Sequence, residues 1–170
     1  MDRNELLAEA QAFFCRGMAK GYAGGAKATL LSGDADWKVY ERRNVGKDLY
    51  LQDRYYVDPA TGKSVGETRI YYEHQLIWFM SYGGFYKKEA IPCLKAALMA
   101  NYTKGDFYAG RGRDDYTQDR YLYMITTDNA DKSGFERFFA REAVFRAEIK
   151  DGIETPVSLG GHEVWGMALI

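Results

Sequence analysis

The chain has 170 residues, 23 basic and 24 acidic side chains, a net charge of -1 and a hydrophobic fraction of 46%. This size and balance predict one globular domain, residues 1–170, and exclude a disordered or fibrous chain. The absence of a basic excess argues against duplex nucleic acid as a partner. No window approaches the roughly 18 apolar residues of a membrane helix, so we expect a cytoplasmic protein without a membrane partner.

The first predicted element is a helix that begins at the N-terminus. Asp2 followed by Glu5 has the spacing of a capping box, in which each side chain accepts the backbone N–H of the other residue. Apolar residues then recur every three or four positions, as on the buried face of a helix. Gly21 is placed to end it, and glycines and aspartates beyond it predict a loop, in which the segment around Trp37–Arg42 is a candidate short strand.

A three-stranded antiparallel meander is predicted next. The segments Asp48–Val57, Gly66–Glu73 and Leu76–Tyr82 are rich in tyrosine, isoleucine and other residues that favour strands. Turn residues separate the segments. Gly83 and Gly84 are predicted to end the meander.

A second helix is predicted from about Lys88 to Tyr102. Pro92 fits only near its first turn, and Gly105 is placed to stop it. Cys93 falls in this helix and Cys15 in the first one. Because the two cysteines are far apart and lie in apolar helical patterns, we expect free, buried thiols.

An internal sequence repeat predicts the fold class. The hexapeptide Tyr50–Tyr55 resembles Tyr116–Tyr121, 66 positions later, and further matches follow it. We therefore predict an α+β domain built from a duplicated helix-plus-three-strand unit, with two helices packed on antiparallel sheet. The halves are about 1–85 and 86–152, followed by a C-terminal extension, 153–170. The further matches are Gly66-Glu67 with Gly134-Phe135-Glu136, and Gly83-Gly84 with Asp151-Gly152.

Four segments resemble one family. The resemblance is to an uncharacterised bacterial domain-of-unknown-function family and covers most of the chain, about 13–149. Its segments are Tyr50–Tyr56, Val65–Glu67, Ile77–Gly84 and Gly110–Gly112. Members of that family sometimes follow a helix-turn-helix of the xenobiotic-response type. The resemblance implies an α+β domain with a sensor-like role, and it brings no activity or catalytic residue.

Several familiar site patterns are absent from the sequence. The segment Thr61–Ser64 fails as a phosphate-binding loop, because Val57 stands where that loop requires glycine. No Gly-x-Ser-x-Gly motif is present, and two histidines with two separated cysteines lack the ligands of a zinc site. We therefore predict no catalytic residue, no cofactor and no metal.

The candidate binding residues are arginines in a glycine-rich loop together with aromatic residues of the strands. An arginine donates a two-pronged set of hydrogen bonds to anions, and tyrosine or tryptophan stacks on planar groups. We predict that arginines hold an anionic group, that three aromatic rings stack on the ligand, and that a glutamate binds its polar edge. These residues are Arg111 and Arg113, then Tyr56, Trp78 and Tyr82, and finally Glu67.

Three functions follow, in order of preference. The first is non-catalytic binding of a small anionic or aromatic ligand, a nucleotide-like signal, by a sensor or sequestering module. The second is protein–protein interaction or a homodimer through exposed tyrosine and tryptophan. The third is a hydrolase whose paired carboxylates, Glu67 and Glu136, face each other across a cleft. The alternative for this pair is that each glutamate hydrogen-bonds a neighbouring loop or pairs with the arginine of the Asp-Arg-Tyr segment, which is Arg54 in one half and Arg120 in the other.

Overall fold

One antiparallel sheet of ten strands dominates the parts of the chain that the computed structural model describes, residues 1–31, 33–112, 115–127 and 133–170. The strands are β1 (Thr29–Leu31), β2 (Asp34–Asn44), β3 (Leu49–Val57), β4 (Lys63–Tyr72), β5 (Gln75–Tyr86), β6 (Asp115–Gln118), β7 (Tyr121–Thr127), β8 (Ser133–Gly134), β9 (Arg137–Lys150) and β10 (Ile153–Ala168). Their spatial order is β1-β2-β3-β4-β5-β10-β9-β7-β6, and β8 pairs with β9.

Two α-helices accompany the sheet in the described ranges. The first, α1 (Arg3–Lys20), precedes β1, and the second, α2 (Ile91–Lys104), lies between β5 and β6. Short 3-10 turns occupy Val45–Lys47 and Lys88–Ala90. Neither helix is both long and apolar enough to span a membrane.

The predicted capping box of α1 is confirmed. The carboxylate of Asp2 accepts the backbone N–H of Glu5 at 2.9 Å, and the Glu5 carboxylate accepts that of Asp2 at 3.1 Å. At the other end the backbone N–H of Gly21 reaches the carbonyl oxygen of Gly17 at 2.9 Å. These bonds satisfy backbone groups that a helix end otherwise leaves free.

The second helix and the cysteines also follow the prediction. Pro92 lies in the first turn of α2, and Gly105 ends the helix with φ of 75°. Cys15 and Cys93 are both buried and free. Burial, together with nearby Asp106, raises the pKa of the Cys15 thiol to about 11.

The aromatic core joins α1 to the centre of the sheet. The ring of Phe14 in α1 lies 5.0 Å from that of Trp78 in β5, between ring centroids. Trp78 also stacks on Phe135 at 4.8 Å, and its indole N–H donates to the Phe135 carbonyl oxygen at 2.8 Å. Burial of rings of this size supplies much of the hydrophobic stabilisation of a small domain.

The predicted fold class, a duplicated helix-plus-meander unit, is wrong. The segment Tyr50–Tyr55 lies wholly within β3, whereas Tyr116–Tyr121 spans β6, a turn and the start of β7. Asp119 in that turn has φ of 53°. Aspartate tolerates both extended and left-handed backbone, so two similar hexapeptides adopt different structures according to their tertiary surroundings.

The other matches in the predicted repeat are not equivalent either. Gly66-Glu67 lies inside β4, but Gly134 ends β8 and Glu136 lies in the turn before β9. Asp151-Gly152 forms the turn of the β9–β10 hairpin, with φ values of 54° and 78°. Gly83-Gly84 lies inside β5, which continues to Tyr86, so the predicted end of the meander is also wrong.

Most of the predicted C-terminal extension forms a central strand. Residues 153–168 make up β10, which pairs with β5 on one side and β9 on the other. Within β10, His162 is the register partner of Gly84 in β5 and of Glu142 in β9. The last strand of the chain therefore brings side chains from distant segments to one place.

Candidate functional site

A pocket of about 500 Å³ lies beside the central strands, a volume typical of small-molecule sites. Its apolar walls come from the end of α1, from β3 and β5, and from α2. Its polar groups come from β3, β4, β10 and the loop after α2. The lining comprises Met18, Tyr22, Asp53, Tyr55, Val57, Ala60, Thr61, Gly62, Ser64, Tyr82, Phe85, Tyr86, Lys87, Lys88, Ile91, Leu94, Arg111 and His162.

Arg111 lines the pocket and is held in a buried ion pair with Glu142. The Nε and Nη2 atoms of Arg111 donate to Oε1 of Glu142 at 3.1 and 2.7 Å. Arg111 is 4% exposed and Glu142 is 2% exposed. Burial alone would raise the pKa of the Glu142 carboxyl, but Arg111, with a contribution from His162, holds it well below its usual range. The arginine charge is therefore already balanced inside the protein.

The glycine-rich loop that carries Arg111 is fixed by hydrogen bonds from α2. The amide of Asn101 donates to the Arg111 carbonyl oxygen at 2.6 Å, and the Tyr102 hydroxyl donates to that of Gly110 at 3.0 Å. Gly110 has φ of 70°, and a Cβ there would lie 2.5 Å from the sulfur of Met80. Glycine is thus required to turn the loop towards the sheet.

A second polar contact to Glu142 comes from β7. The hydroxyl of Tyr123 donates to Oε2 of Glu142 at 2.7 Å and accepts the backbone N–H of Gly112 at 3.1 Å. Tyr123 is wholly buried. Both oxygens of the Glu142 carboxylate consequently have partners, as a buried carboxylate requires.

A serine and a histidine meet at the inner end of the pocket. The Oγ atom of Ser64 lies 2.9 Å from Nε2 of His162, whose Nδ1 lies 3.5 Å from Oε1 of Glu142. The imidazole of His162 lies against Gly84. A Cβ at Gly84 would lie 2.8 Å from the imidazole Cδ2 and even closer to the Gly161 carbonyl oxygen. A glycine in β5 thus makes room for the ring.

Asp53 is a buried carboxylate that forms no ion pair within the described ranges. Its Oδ1 atom accepts the hydroxyls of Thr68 at 2.8 Å and Tyr82 at 3.1 Å. Burial raises the pKa of the Asp53 carboxyl, while these bonds and nearby Arg111 act in the opposite direction. Asp53 is therefore a hydrogen-bond acceptor with an unbalanced charge when ionised.

The structure brings together two of the predicted binding residues. Arg111 and Tyr82 both line the pocket, and the guanidinium carbon lies 5.2 Å from the centroid of the tyrosine ring. Trp78 is fully buried in the core and does not line the pocket. Tyr56, likewise not part of the lining, packs on Trp37 at 6.4 Å between centroids. Arg113 lies outside the described residues.

The carboxylates of the predicted hydrolase site are not brought together. Glu67 pairs with Arg54 and, at 2.7 Å, with Arg69. Glu136 pairs with Arg3 at 2.7 Å and is largely exposed. Three inter-strand steps separate β4 from β9, which is roughly 14 Å at the usual strand spacing. The alternative interpretation holds for Glu67, which pairs with Arg54 of the Asp-Arg-Tyr segment. Glu136 pairs with Arg3 of α1, where that interpretation predicted Arg120.

Sequence reasoning missed four polar residues of the site, Asp53, Ser64, Glu142 and His162. Glu142 has a local signal, because it interrupts the apolar alternation of Phe138, Ala140 and Val144 on β9. An acid at an inward position of a strand requires a partner. Asp53 carries the same signal, because it follows Leu49 and Leu51 on the buried face of β3. Ser64 and His162 are brought together by strand register.

Comparisons with protein-family models, with curated proteins and with solved structures return no match to this chain. Within the described ranges, no group of three or more histidine, cysteine, aspartate or glutamate side chains is placed to hold a metal ion.

Proposed function

We propose that this protein binds a small planar ligand, resembling a nucleotide, in the pocket beside β5 and β10. The observation that supports this function best is the combination of aromatic walls with a buried carboxylate acceptor, Asp53, in one pocket. Aromatic rings with a few convergent polar groups are the usual composition of small-molecule sites.

The aromatic walls favour a flat, apolar body in the ligand. Tyr22, Tyr55, Tyr82 and Phe85 all contribute to the lining. Tyr22 and Tyr55 pack edge to face on each other, with ring centroids 6.1 Å apart. Such rings offer stacking area at little entropic cost, because they have few rotatable bonds.

The buried charges favour a hydrogen-bond donor at the inner end of the ligand. Arg111 is balanced by Glu142, so it has no free charge for an anion there. The Asp53 carboxylate has two hydroxyl donors and no cationic partner in the described part of the chain. An exocyclic amine or a ring N–H on the ligand would add a donor to this acceptor.

The anionic group of the ligand is assigned to the rim of the pocket. Lys87 and Lys88 are exposed and line the pocket beside its apolar wall. An ammonium group attracts phosphate or carboxylate as a point charge. Arg111 therefore forms part of the pocket wall. The two lysines bind the anionic group, which the sequence analysis assigned to the arginines.

The test begins with mass spectrometry of small molecules released when the freshly purified protein is denatured. A bound aromatic anion at one molecule per chain supports the proposal. In parallel, adenosine 5′-monophosphate and adenosine are titrated as probes by calorimetry. We expect Asp53→Asn to weaken monophosphate binding roughly tenfold, the effect of one hydrogen bond to a charged group.

The matched control is Glu67→Gln, a carboxylate change in the neighbouring strand outside the pocket lining. It is expected to leave binding unchanged. An empty protein that binds neither probe would contradict the proposal. Equal weakening by both variants would contradict the assignment of the pocket.

A second candidate function, self-association, is favoured by one exposed cluster. Trp165 in β10 is 46% exposed although it packs on Phe79 of β5, with centroids 5.4 Å apart. Met167, the register partner of Phe79, is 39% exposed. Large apolar side chains of this kind are enriched at protein interfaces. Light scattering of the wild type and of Trp165→Lys tests it, and a wild-type monomer would contradict it.

A further inference from the structure

Two residues of the pocket lining, Ser64 and His162, contact each other, and His162 lies beside Glu142, which is buried and does not line the pocket. Ser64 Oγ is 2.9 Å from His162 Nε2, and His162 Nδ1 is 3.5 Å from Glu142 Oε1. The first distance is that of a hydrogen bond between a nucleophile and its base. The second is an ion-pair distance, and Nδ1 of His162 is a buried atom without a hydrogen-bond partner in the described part of the chain.

We propose that Ser64 is a nucleophile activated by His162, and that the protein accepts an acyl group from a small ester that enters the pocket. This activity goes beyond ligand binding and does not depend on which planar ligand the pocket holds. It also differs from the hydrolase predicted from Glu67 and Glu136, because it uses neither residue.

In this proposal the charge of Glu142, 3.5 Å from Nδ1, favours a proton on that nitrogen of His162. The carboxylate is kept ionised by Arg111 and lies on the Nδ1 side of the ring. An acceptor there favours the tautomer with the proton on Nδ1 and a lone pair on Nε2. The Ser64 hydroxyl then donates to Nε2, which is the arrangement a general base needs. Glu142 is a positioning residue in this proposal.

The serine is accessible from the pocket. Both Ser64 and His162 belong to the lining, and Ser64 is only partly buried. Tyr86 lines the same pocket, and its buried hydroxyl has no hydrogen-bond partner among the described residues. A tyrosine hydroxyl in the pocket lining is suited to donate to the oxygen of an ester as negative charge develops on it.

The reaction needs no reactant other than the ester and water. The Ser64 oxygen forms a bond to the ester carbonyl carbon, and its proton moves to Nε2 of His162. The bond from that carbon to the leaving oxygen then breaks, and the imidazole returns the proton to the departing alcohol. Water removes the acyl group from Ser64 by the same two steps, releasing the carboxylic acid.

The first experiment is acylation by p-nitrophenyl acetate, followed by intact-protein mass spectrometry and peptide mapping. We expect one acetyl group on Ser64 and its loss in Ser64→Ala. The matched control is Ser81→Ala, a half-buried serine of β5 that does not line the pocket. His162→Gln is expected to slow acylation roughly 100-fold, the size of a general-base contribution.

The second experiment reads the tautomer directly. The chain contains two histidines, His74 and His162, so labelling with ¹⁵N-histidine gives two imidazole signal sets, which His74→Gln assigns. We expect His162 to carry its proton on Nδ1 with Nε2 unprotonated. A merely structural hydrogen bond does not require this tautomer.

Three outcomes overturn the proposal. One is a folded wild-type protein that acquires no acetyl group on Ser64. Another is acylation of Ser64 that folded His162→Gln leaves unchanged, because the histidine then gives no activation. The third is a proton on Nε2, since His162 would then donate to Ser64 and could not accept its proton. Probe titrations remain an independent measure of ligand binding.

Discussion

Arg111 and Glu142 form an ion pair with a closest distance of 2.7 Å, and both side chains are almost completely buried. The pair holds the loop after α2, which carries Arg111, against β9, which carries Glu142. It also removes the free positive charge that a loop arginine otherwise offers to an anion. One contact therefore fixes both the shape of the pocket and its charge.

Breaking this pair is expected to be costly. Arg111→Ala leaves the Glu142 carboxylate buried without its cation, which typically costs about 3–5 kcal/mol of the free energy of unfolding. Arg3→Ala, which breaks the exposed pair with Glu136, is expected to cost less than about 1 kcal/mol. Urea denaturation measures both. Equal losses in the two variants would contradict the structural role of the pair.

Gly84→Ala is expected to destabilise the protein and displace His162. The added Cβ meets the imidazole of His162 and the carbonyl of Gly161, so β5 and β10 must move apart. Overpacking of this kind typically costs about 1–3 kcal/mol. Gly46→Ala is the control, because its Cβ would lie 3.9 Å from its nearest neighbour, Asn44. Thermal unfolding and the His162 NMR signals report the two effects.

The free energy of unfolding is expected to depend on the ionisation of Asp53. The pKa of this carboxyl is higher in the folded than in the unfolded chain, so the folded state binds more protons between the two values. The stabilising contribution of Asp53 is fully present below the pKa of the unfolded chain. It is lost as the pH rises through the pKa of the folded chain. Glu142, with its lowered pKa, acts with the opposite sign at more acidic pH.

The pH dependence due to Asp53 is measured by urea denaturation of the wild type and of Asp53→Asn from mildly acidic to neutral pH. We expect the stability of the wild type relative to the variant to fall as the pH rises. Parallel curves would show that Asp53 titrates alike in the folded and unfolded chains.

Cys15 is expected to be unreactive in the native protein. With a pKa of about 11, only about 0.1% of this thiol is ionised at pH 8, and the thiolate is the reactive form. Burial also raises the pKa of Cys93. Titration with Ellman's reagent should therefore show slow reaction in buffer and two rapid equivalents in denaturant. Rapid native reaction would contradict the burial of these thiols.

Local features were predictable because their determinants lie within a few residues of one another. The capping box joins Asp2 to Glu5, and the stop of α2 needs only the left-handed backbone of Gly105. The apolar spacing of α1 likewise identified a buried face. The same local reasoning failed for Tyr116–Tyr121, because its residue types suit both a strand and a turn.

The pocket could not be predicted in this way, because its polar groups are distant in sequence. Ser64 and His162 are 98 residues apart, and Arg111 and Glu142 are 31 apart. The sequence by itself determined where the helices begin and end, the location of β3, β4 and β5, and the burial of the cysteines. Only the tertiary structure decided that 153–168 becomes a central strand, because strand register is set by long-range pairing and by the burial of one face of the sheet.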